Sequence, residues 1–194
     1  AATILRVRDD MASPWRDLLV WPPSVAGFDR YRRLVAFVDG GRAVLAQSFV
    51  GHDTSALVKL DARTGAELAV VAHEPGTDLW NLTHGSDTDV PEVFLAPDGE
   101  RPLAVAFEYD KPWWRVLDAS VAPDFRALTA LAGGDVFRVE SRDRDDRRWV
   151  VWLGGDTNPG RYVLWDRAAQ AASDLFTLAP ELADTIVTGG DDYE

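Results

Sequence analysis

Arg33-Leu-Val-Ala-Phe-Val38, Asp39-Gly-Gly41 and Arg42-Ala-Val-Leu-Ala-Gln-Ser-Phe49 follow one another without interruption. Two apolar runs separated by Asp-Gly are a strong short-range signal of a β-hairpin. The same alternation continues outward, with strands predicted at 56–60 and 67–71 and a tight turn between them. This stretch therefore predicts four short antiparallel strands joined as a meander.

The meander pattern returns further along the chain. Near the C-terminus it predicts strands at 135–140, 148–153, 161–165 and 174–178. A looser copy between the two predicts strands at 93–95, 102–108 and 113–117, followed by a short helix at 122–131. Each copy contains a strand that ends in aspartate, at Asp61, Asp118 and Asp166.

Repeats of four-stranded meanders are typical of β-propeller blades. From these copies we expect an all-β fold, a β-propeller or part of one, with about three to four blades and one short helix. Propellers have roughly four to eight blades, so this number also fits an incomplete ring. Residues 1–183 are expected to form the blades, with part of a further blade in the first thirty residues. Residues 184–194 are expected to be a flexible tail or linker. An irregular β-sandwich is the alternative fold.

The composition agrees with a strand-and-turn protein. The 194 residues include 24 Asp but only 8 Glu, and Asp favours turns where Glu favours helices. The net charge of −12 argues against nucleic-acid and anionic-membrane partners. There is no cysteine and no apolar run of membrane-spanning length, and the first residues do not look like a signal peptide. A cytoplasmic location is the resulting expectation.

Several segments resemble propeller blades of TolB-like proteins and of the prolyl oligopeptidase family of serine peptidases. The hairpin at 53–65 resembles a blade hairpin of both groups, and Glu108-Tyr-Asp-Lys-Pro-Trp-Trp114 is similar to a segment of bacterial dipeptidyl aminopeptidases and acylaminoacyl peptidases. Residues 141–152 and 158–167 resemble the last blades of that propeller, and 175–183 resembles the lead into the catalytic domain. The resemblance extends from about Gly40 to Ala183.

The resemblance implies a propeller that caps a peptidase active site, admits small peptides and excludes folded proteins. In that family an α/β-hydrolase domain follows the propeller, and this chain lacks it. No G-x-S-x-G nucleophile elbow occurs among its eight serines. His84, Ser86 and Asp87 are too close in sequence to present a catalytic triad, so a polar turn is the better interpretation. The chain alone is not expected to be an enzyme.

No cofactor or metal is expected. Asp143, Asp145 and Asp146 crowd one turn, as Asp87 and Asp89 crowd another, and calcium binds such groups of carboxylates. Arginines flank the first group, which favours a solvated hairpin turn. His73 and Glu74 precede Pro75 in what is predicted to be a loop, and the three histidines have no recognisable zinc spacing.

Tryptophans are the remaining candidates for a site. Trp113, Trp114 and Trp152 are proposed to contact substrate or a neighbouring domain, with packing between blades or domains as the more frequent role of such residues. Neighbouring residues on a strand face opposite sides, so one member of each Trp pair is expected to face outward. Of Trp149 and Trp165, at least one is expected to be fully buried between blades.

Three functional hypotheses remain open. The first is the non-catalytic propeller of a prolyl oligopeptidase-like peptidase. The second is a stand-alone TolB-like propeller that binds proteins or peptides, and the third is a sugar- or ligand-binding propeller. The expected partner is an α/β-hydrolase domain in the same or a longer polypeptide, or a second copy of the chain, because an incomplete ring leaves apolar blade faces uncovered.

Overall fold

The computed structural model describes residues 2–21, 33–48, 51, 54–76, 78–79, 93–108, 111–155 and 158–180. The chain divides into two compact units, Ala1–Asp118 and Ala119–Glu194. The predicted tail at 184–194 and the turn that contains His84, Ser86, Asp87 and Asp89 lie outside the described residues.

The described residues of the first unit form ten strands in three antiparallel sheets. Strands β1 and β2 form a two-stranded sheet, β3 to β6 form a meander in sequence order, and β7 to β10 form the third sheet. The strands are β1 Thr3–Val7, β2 Arg16–Trp21, β3 Arg33–Val38, β4 Ala43–Ser48, β5 Ala56–Asp61, β6 Glu67–Ala72, β7 Asp78–Leu79, β8 Val93–Leu95, β9 Pro102–Glu108 and β10 Pro112–Val116.

Both faces of the β3–β6 sheet are covered. Val44 and Ala46 of β4 share a core cluster with Val7 and Leu18 from the β1–β2 sheet. On the opposite face, Leu45 shares a second cluster with Val105 and Phe107 of β9. Every residue of β4 is consequently buried, which explains why this strand is an almost continuous apolar run. The three sheets of the first unit are thus stacked face to face.

The third sheet departs from a simple meander. Strand β9 pairs with β10 along one edge, while its other edge is shared by β7 and β8. Strands β8, β9 and β10 match the three strands predicted for the looser copy. The short pairing of Asp78 and Leu79 with the end of β9 was not predicted.

The second unit contains the most regular repeat and the helix. Strands β11 Val136–Arg142, β12 Arg148–Gly155, β13 Asn158–Asp166 and β14 Ala171–Thr177 form a meander in sequence order. A short 3-10 turn, Ala119–Val121, leads into α1, Ala122–Ala132. Gly133, with a φ of 64°, ends the helix in the left-handed conformation that glycine favours. The all-β prediction with one short helix is confirmed.

Aspartates form the turns, as the composition predicts. Oδ1 of Asp61 accepts hydrogen bonds from the backbone N–H groups of Arg63 and Thr64, and Oδ1 of Asp166 accepts them from Ala168 and Ala169. Two of the three aspartates that mark the repeat therefore make the same turn. The third, Asp118, instead forms an ion pair with Arg101 before the chain enters the 3-10 turn.

Candidate functional site

Trp113 is the predicted site residue that is most open to solvent. Its side chain is 39% exposed, and its ring stacks on Phe107 of the neighbouring strand, with centroids 5.2 Å apart and an interplanar angle of 26°. The guanidinium of Arg115 lies 4.8 Å from the Phe107 ring centroid and 5.4 Å from that of Trp113. The pairing of β9 with β10 places all three groups on one face of the sheet.

Arg115 ties this aromatic group to the loop after β6. It donates a 3.0 Å hydrogen bond to the carbonyl oxygen of His73 and forms an ion pair with Glu74. Both ionic side chains are about one-third exposed, at 32% and 36%. We call Thr54, His73, Glu74, Arg115 and Trp113 the Arg115 cluster. It joins the β3–β6 sheet to the β7–β10 sheet at one edge of the first unit.

Thr54 links the histidine of this cluster to Glu74. Its Oγ1 donates a 2.9 Å hydrogen bond to the Glu74 carbonyl oxygen, and the same oxygen lies 3.1 Å from His73 Nε2. The cluster orders a loop and presents an aromatic, charged surface.

The structure does not gather the three predicted tryptophans within one unit. Trp113 and Trp114 are adjacent on β10 and face opposite sides of the sheet, as the strand geometry requires. Trp114 is half-buried. Trp152 lies on β12 in the second unit. The residue that accompanies Trp113 is Arg115, which the sequence analysis did not single out although it lies two positions further along the same strand.

Trp152 belongs to a row of side chains that crosses the β11–β14 sheet. Arg138, Trp152, Tyr162 and Phe176 are paired in register from β11 to β14, and we call these four residues the aromatic row. The Arg138 guanidinium lies 4.5 Å over the Trp152 ring, and Tyr162 stacks on Phe176 with centroids 4.7 Å apart. The row ends in Phe176, whose side chain is 55% exposed.

Two glycines make room for the Trp152 ring. A Cβ atom built at Gly154 or at Gly160 would overlap the indole. With Arg138 over the ring and the glycine backbone against it, little of the indole surface is left for a stacking ligand. Trp152 thus has packing partners in its own sheet, and its contact with substrate or a neighbouring domain stays a prediction.

The second unit contains a buried ionic network that the sequence analysis missed. Oδ1 of Asp124 accepts hydrogen bonds from Trp165 Nε1 at 3.0 Å and from Gln170 Nε2 at 2.7 Å. Its Oδ2 accepts from Arg167, at 3.0 Å from Nε and 2.9 Å from the second guanidinium nitrogen. Arg167 also bonds Oδ2 of Asp146 at 2.7 Å. Asp124 is 2% exposed, and both of its carboxylate oxygens accept hydrogen bonds from these donors.

The network lies beside a cleft of about 690 Å³. Trp149 Nε1 donates to Oδ1 of Asp146 at 2.8 Å, and the Arg167 guanidinium lies 4.6 Å over the Trp149 ring. Asp124 and Asp146 both bind Arg167 at this cleft, and the arrangement fastens α1 to the sheet. The expectation that at least one of Trp149 and Trp165 is buried is confirmed, since they are 0% and 3% exposed. Trp149 contacts Phe125 of α1 and Asp146, and Trp165 bonds Asp124 of α1.

In the turn that contains Asp143, Asp145 and Asp146, two of the three carboxylates, those of Asp143 and Asp146, accept hydrogen bonds from the protein itself. Asp143 Oδ1 accepts hydrogen bonds from the backbone N–H groups of Arg148 and Arg147, and these bonds, that from Arg148 foremost, hold the pKa of Asp143 below its ordinary value of 3.8. Asp146 binds Trp149 and Arg167 as described. Within the described part of the chain, no group of three or more His, Asp or Glu residues is arranged to hold a metal ion.

Comparison with known proteins gives one informative match. No family model matches the chain, and no solved structure matches it. The chain is similar to dipeptidyl aminopeptidase BIII of Pseudoxanthomonas mexicana, with 25% identity over 169 residues, which is 87% of this chain and 21% of that protein. The chain thus spans about a fifth of the length of the curated relative. Among the described residues, none of the helices is long and apolar enough to cross a membrane.

Proposed function

We propose that this chain is a non-catalytic, propeller-like region of a serine peptidase related to the prolyl oligopeptidase family. In this role it caps the active site of an α/β-hydrolase domain and admits short peptides. The similarity to a dipeptidyl aminopeptidase over 87% of the chain carries the proposal. The relative is several times longer than the region matched, which is compatible with a catalytic domain elsewhere in such a protein.

The stacking of sheets in the first unit supports a propeller-like architecture. The β3–β6 meander shares one apolar cluster with the β1–β2 sheet and another with β9, so both faces of its strand β4 are buried. Neighbouring blades of a propeller cover one another in this manner. The regular β11–β14 meander supplies a further four-stranded sheet of the same kind.

A non-catalytic role is supported by the chemistry of the described residues. The sequence has no nucleophile elbow, and the Thr54 hydroxyl beside His73 donates a hydrogen bond to the Glu74 carbonyl oxygen. The buried ionic network is saturated by its own members. Nothing in these arrangements provides an activated nucleophile beside an oxyanion site.

The proposal is tested by comparing the recombinant chain with the native protein isolated by an antibody against it. The recombinant chain is expected to turn over neither peptide anilides nor esters. The native protein is expected to cleave dipeptidyl anilides and to leave folded proteins intact. Turnover by the recombinant chain that disappears when one of its serines is replaced by alanine would contradict the non-catalytic role. Equal cleavage of folded and short substrates by the native protein would contradict the gating role.

The Arg115 cluster favours a second candidate, a module that binds a protein or peptide partner without an associated peptidase. The exposed Trp113 and the ionic pair beside it resemble the aromatic and arginine groups that are enriched in interfaces. Native protein that carries a stable partner but cleaves no anilide would support this candidate over the first.

A further inference from the structure

Gln47 is a fully buried amide in the middle of an apolar layer. Its side chain is 0% exposed. Within the part of the chain that the structure describes, neither Nε2 nor Oε1 has a hydrogen-bond partner. A buried amide that makes no hydrogen bond is strongly destabilising, and native proteins rarely leave one unsatisfied.

The regular pairing of β4 with β5 locates this amide. Alternate residues of a strand face the same side, so Gln47 shares its face with Ala43 and Leu45. Both of those residues belong to the cluster that contains Val105 and Phe107 of β9. Gln47 therefore lies in the layer between the β3–β6 sheet and the β7–β10 sheet. The next residue, Ser48, faces the other way and accepts a 3.3 Å hydrogen bond from Trp21 Nε1.

The surroundings limit what can bind there. In the next strand Gln47 is paired with Leu57, which is itself paired with Ala72, and all three residues are buried. A ligand must be small enough to fit among packed side chains and must both accept from Nε2 and donate to Oε1. Water has this combination, and buried waters commonly satisfy polar groups that the protein leaves unpaired.

We propose that the chain binds an internal water molecule at Gln47, between the two stacked sheets. The water accepts a hydrogen bond from the amide nitrogen and donates one to the amide oxygen or to a backbone carbonyl within reach. It is a structural component of the layer, independent of whether the chain serves a peptidase.

Nuclear magnetic resonance tests this directly, because the sequence has only four side-chain amides, at Gln47, Asn81, Asn158 and Gln170. The Gln47 signals are assigned by their loss in a Gln47→Met variant. In a rotating-frame experiment, a bound water gives a cross-peak of sign opposite to the diagonal, whereas hydrogen exchange gives the same sign. We expect an opposite-sign water peak at the Gln47 amide protons.

Gln170 is the matched control. Its Nε2 donates to Asp124 Oδ1 at 2.7 Å and to the Arg167 carbonyl oxygen at 2.8 Å, so protein atoms already satisfy it. We expect no long-lived water peak at its amide protons.

The stability of the Gln47→Met variant completes the test. If water satisfies the amide, methionine does not stabilise the chain, and the equilibrium constant for unfolding stays the same or rises. A missing water peak together with an unfolding constant lowered about tenfold would show a dry, unsatisfied amide. A missing peak together with a strongly raised unfolding constant would show a protein partner. Either result overturns the proposal.

Discussion

Nε1 of Trp165 donates a 3.0 Å hydrogen bond to Oδ1 of Asp124, and this bond joins β13 to α1 across 41 residues of sequence. The same carboxylate accepts hydrogen bonds from Arg167 and Gln170, which lie on the turn after β13. The buried carboxylate of Asp124, on the short helix α1, thereby binds an indole, a guanidinium and an amide from β13 and the turn that follows it. The helix is held mainly by this contact and by the burial of Phe125 and Leu128.

Replacing Asp124 by alanine is expected to destabilise the protein by about 1–3 kcal/mol, because it leaves the buried Trp165 Nε1 without its acceptor and removes one of the two carboxylates that bind Arg167. The free energy of unfolding, measured by urea denaturation, checks this value. Asp174→Ala is the control, since Asp174 forms an exposed pair with Arg161 and such pairs contribute about 0–1 kcal/mol. Equal losses in the two variants would show that the Asp124 network does not hold the helix.

Local patterns predicted most of the secondary structure. The signals that predict a turn at Asp39-Gly40, the alternating strands and the helix with Phe125 and Leu128 are all local. Each of them involves residues only a few positions apart in the sequence. The partners of Asp124 could not be predicted, because the residues that satisfy it are more than 40 positions away and share no local signal with it. For the same reason Arg115 was missed beside Trp113, since its partners His73 and Glu74 follow a different strand.

The close approach of β2 to the turn after β5 gives a second prediction. Gly65 has a φ of 73°, and a Cβ there would overlap the carbonyl oxygen of Leu18. Gly65→Ala is expected to cost more than the roughly 1–3 kcal/mol that a left-handed conformation alone imposes on alanine. Gly99→Ala is the matched control, because Gly99 has a φ of 75° and open space around its Cβ position. If thermal unfolding gives equal losses for both variants, Leu18 does not pack on this turn.

The turn at Asp61 gives a prediction about pH. The Thr64 hydroxyl, followed by backbone N–H groups, holds the pKa of Asp61 below its ordinary value of 3.8. A carboxylate with a lowered pKa contributes stability above the unfolded pKa and loses it as the pH falls through the folded pKa.

The pKa of Asp61 is measured directly by following the chemical shift of its carboxyl carbon with pH in nuclear magnetic resonance spectra. Thr64→Val is expected to raise the midpoint toward 3.8, because it removes the strongest donor. Thr129→Val is the control, since Thr129 bonds the Phe125 carbonyl oxygen. An unchanged titration midpoint in the Thr64→Val variant would contradict the claim that the Thr64 hydroxyl lowers the pKa of Asp61.

The exposed end of the aromatic row predicts association of the isolated chain. Phe176 is 55% exposed beside Tyr162, and exposed apolar surface favours burial against a partner. Phe176→Asp is expected to lower the apparent mass of the chain in light scattering coupled to size exclusion. Leu68, which is equally exposed at 55% on β6 of the other unit, gives the comparison. If Leu68→Asp lowers the mass as much as Phe176→Asp does, the aromatic row is not the specific cause of association. A parent chain that is monomeric at every concentration would contradict this prediction.

The central claim is that this chain is the non-catalytic part of a serine peptidase. The most direct test is labelling of the native, antibody-isolated protein with a serine-reactive fluorophosphonate, followed by mass spectrometry of the labelled polypeptide. We predict a labelled polypeptide larger than this chain of 21.4 kDa, either containing its peptides or bound to it, and no labelling of the recombinant chain. Native protein of the mass of this chain with no labelled polypeptide attached, or labelling of the recombinant chain itself, would contradict the claim.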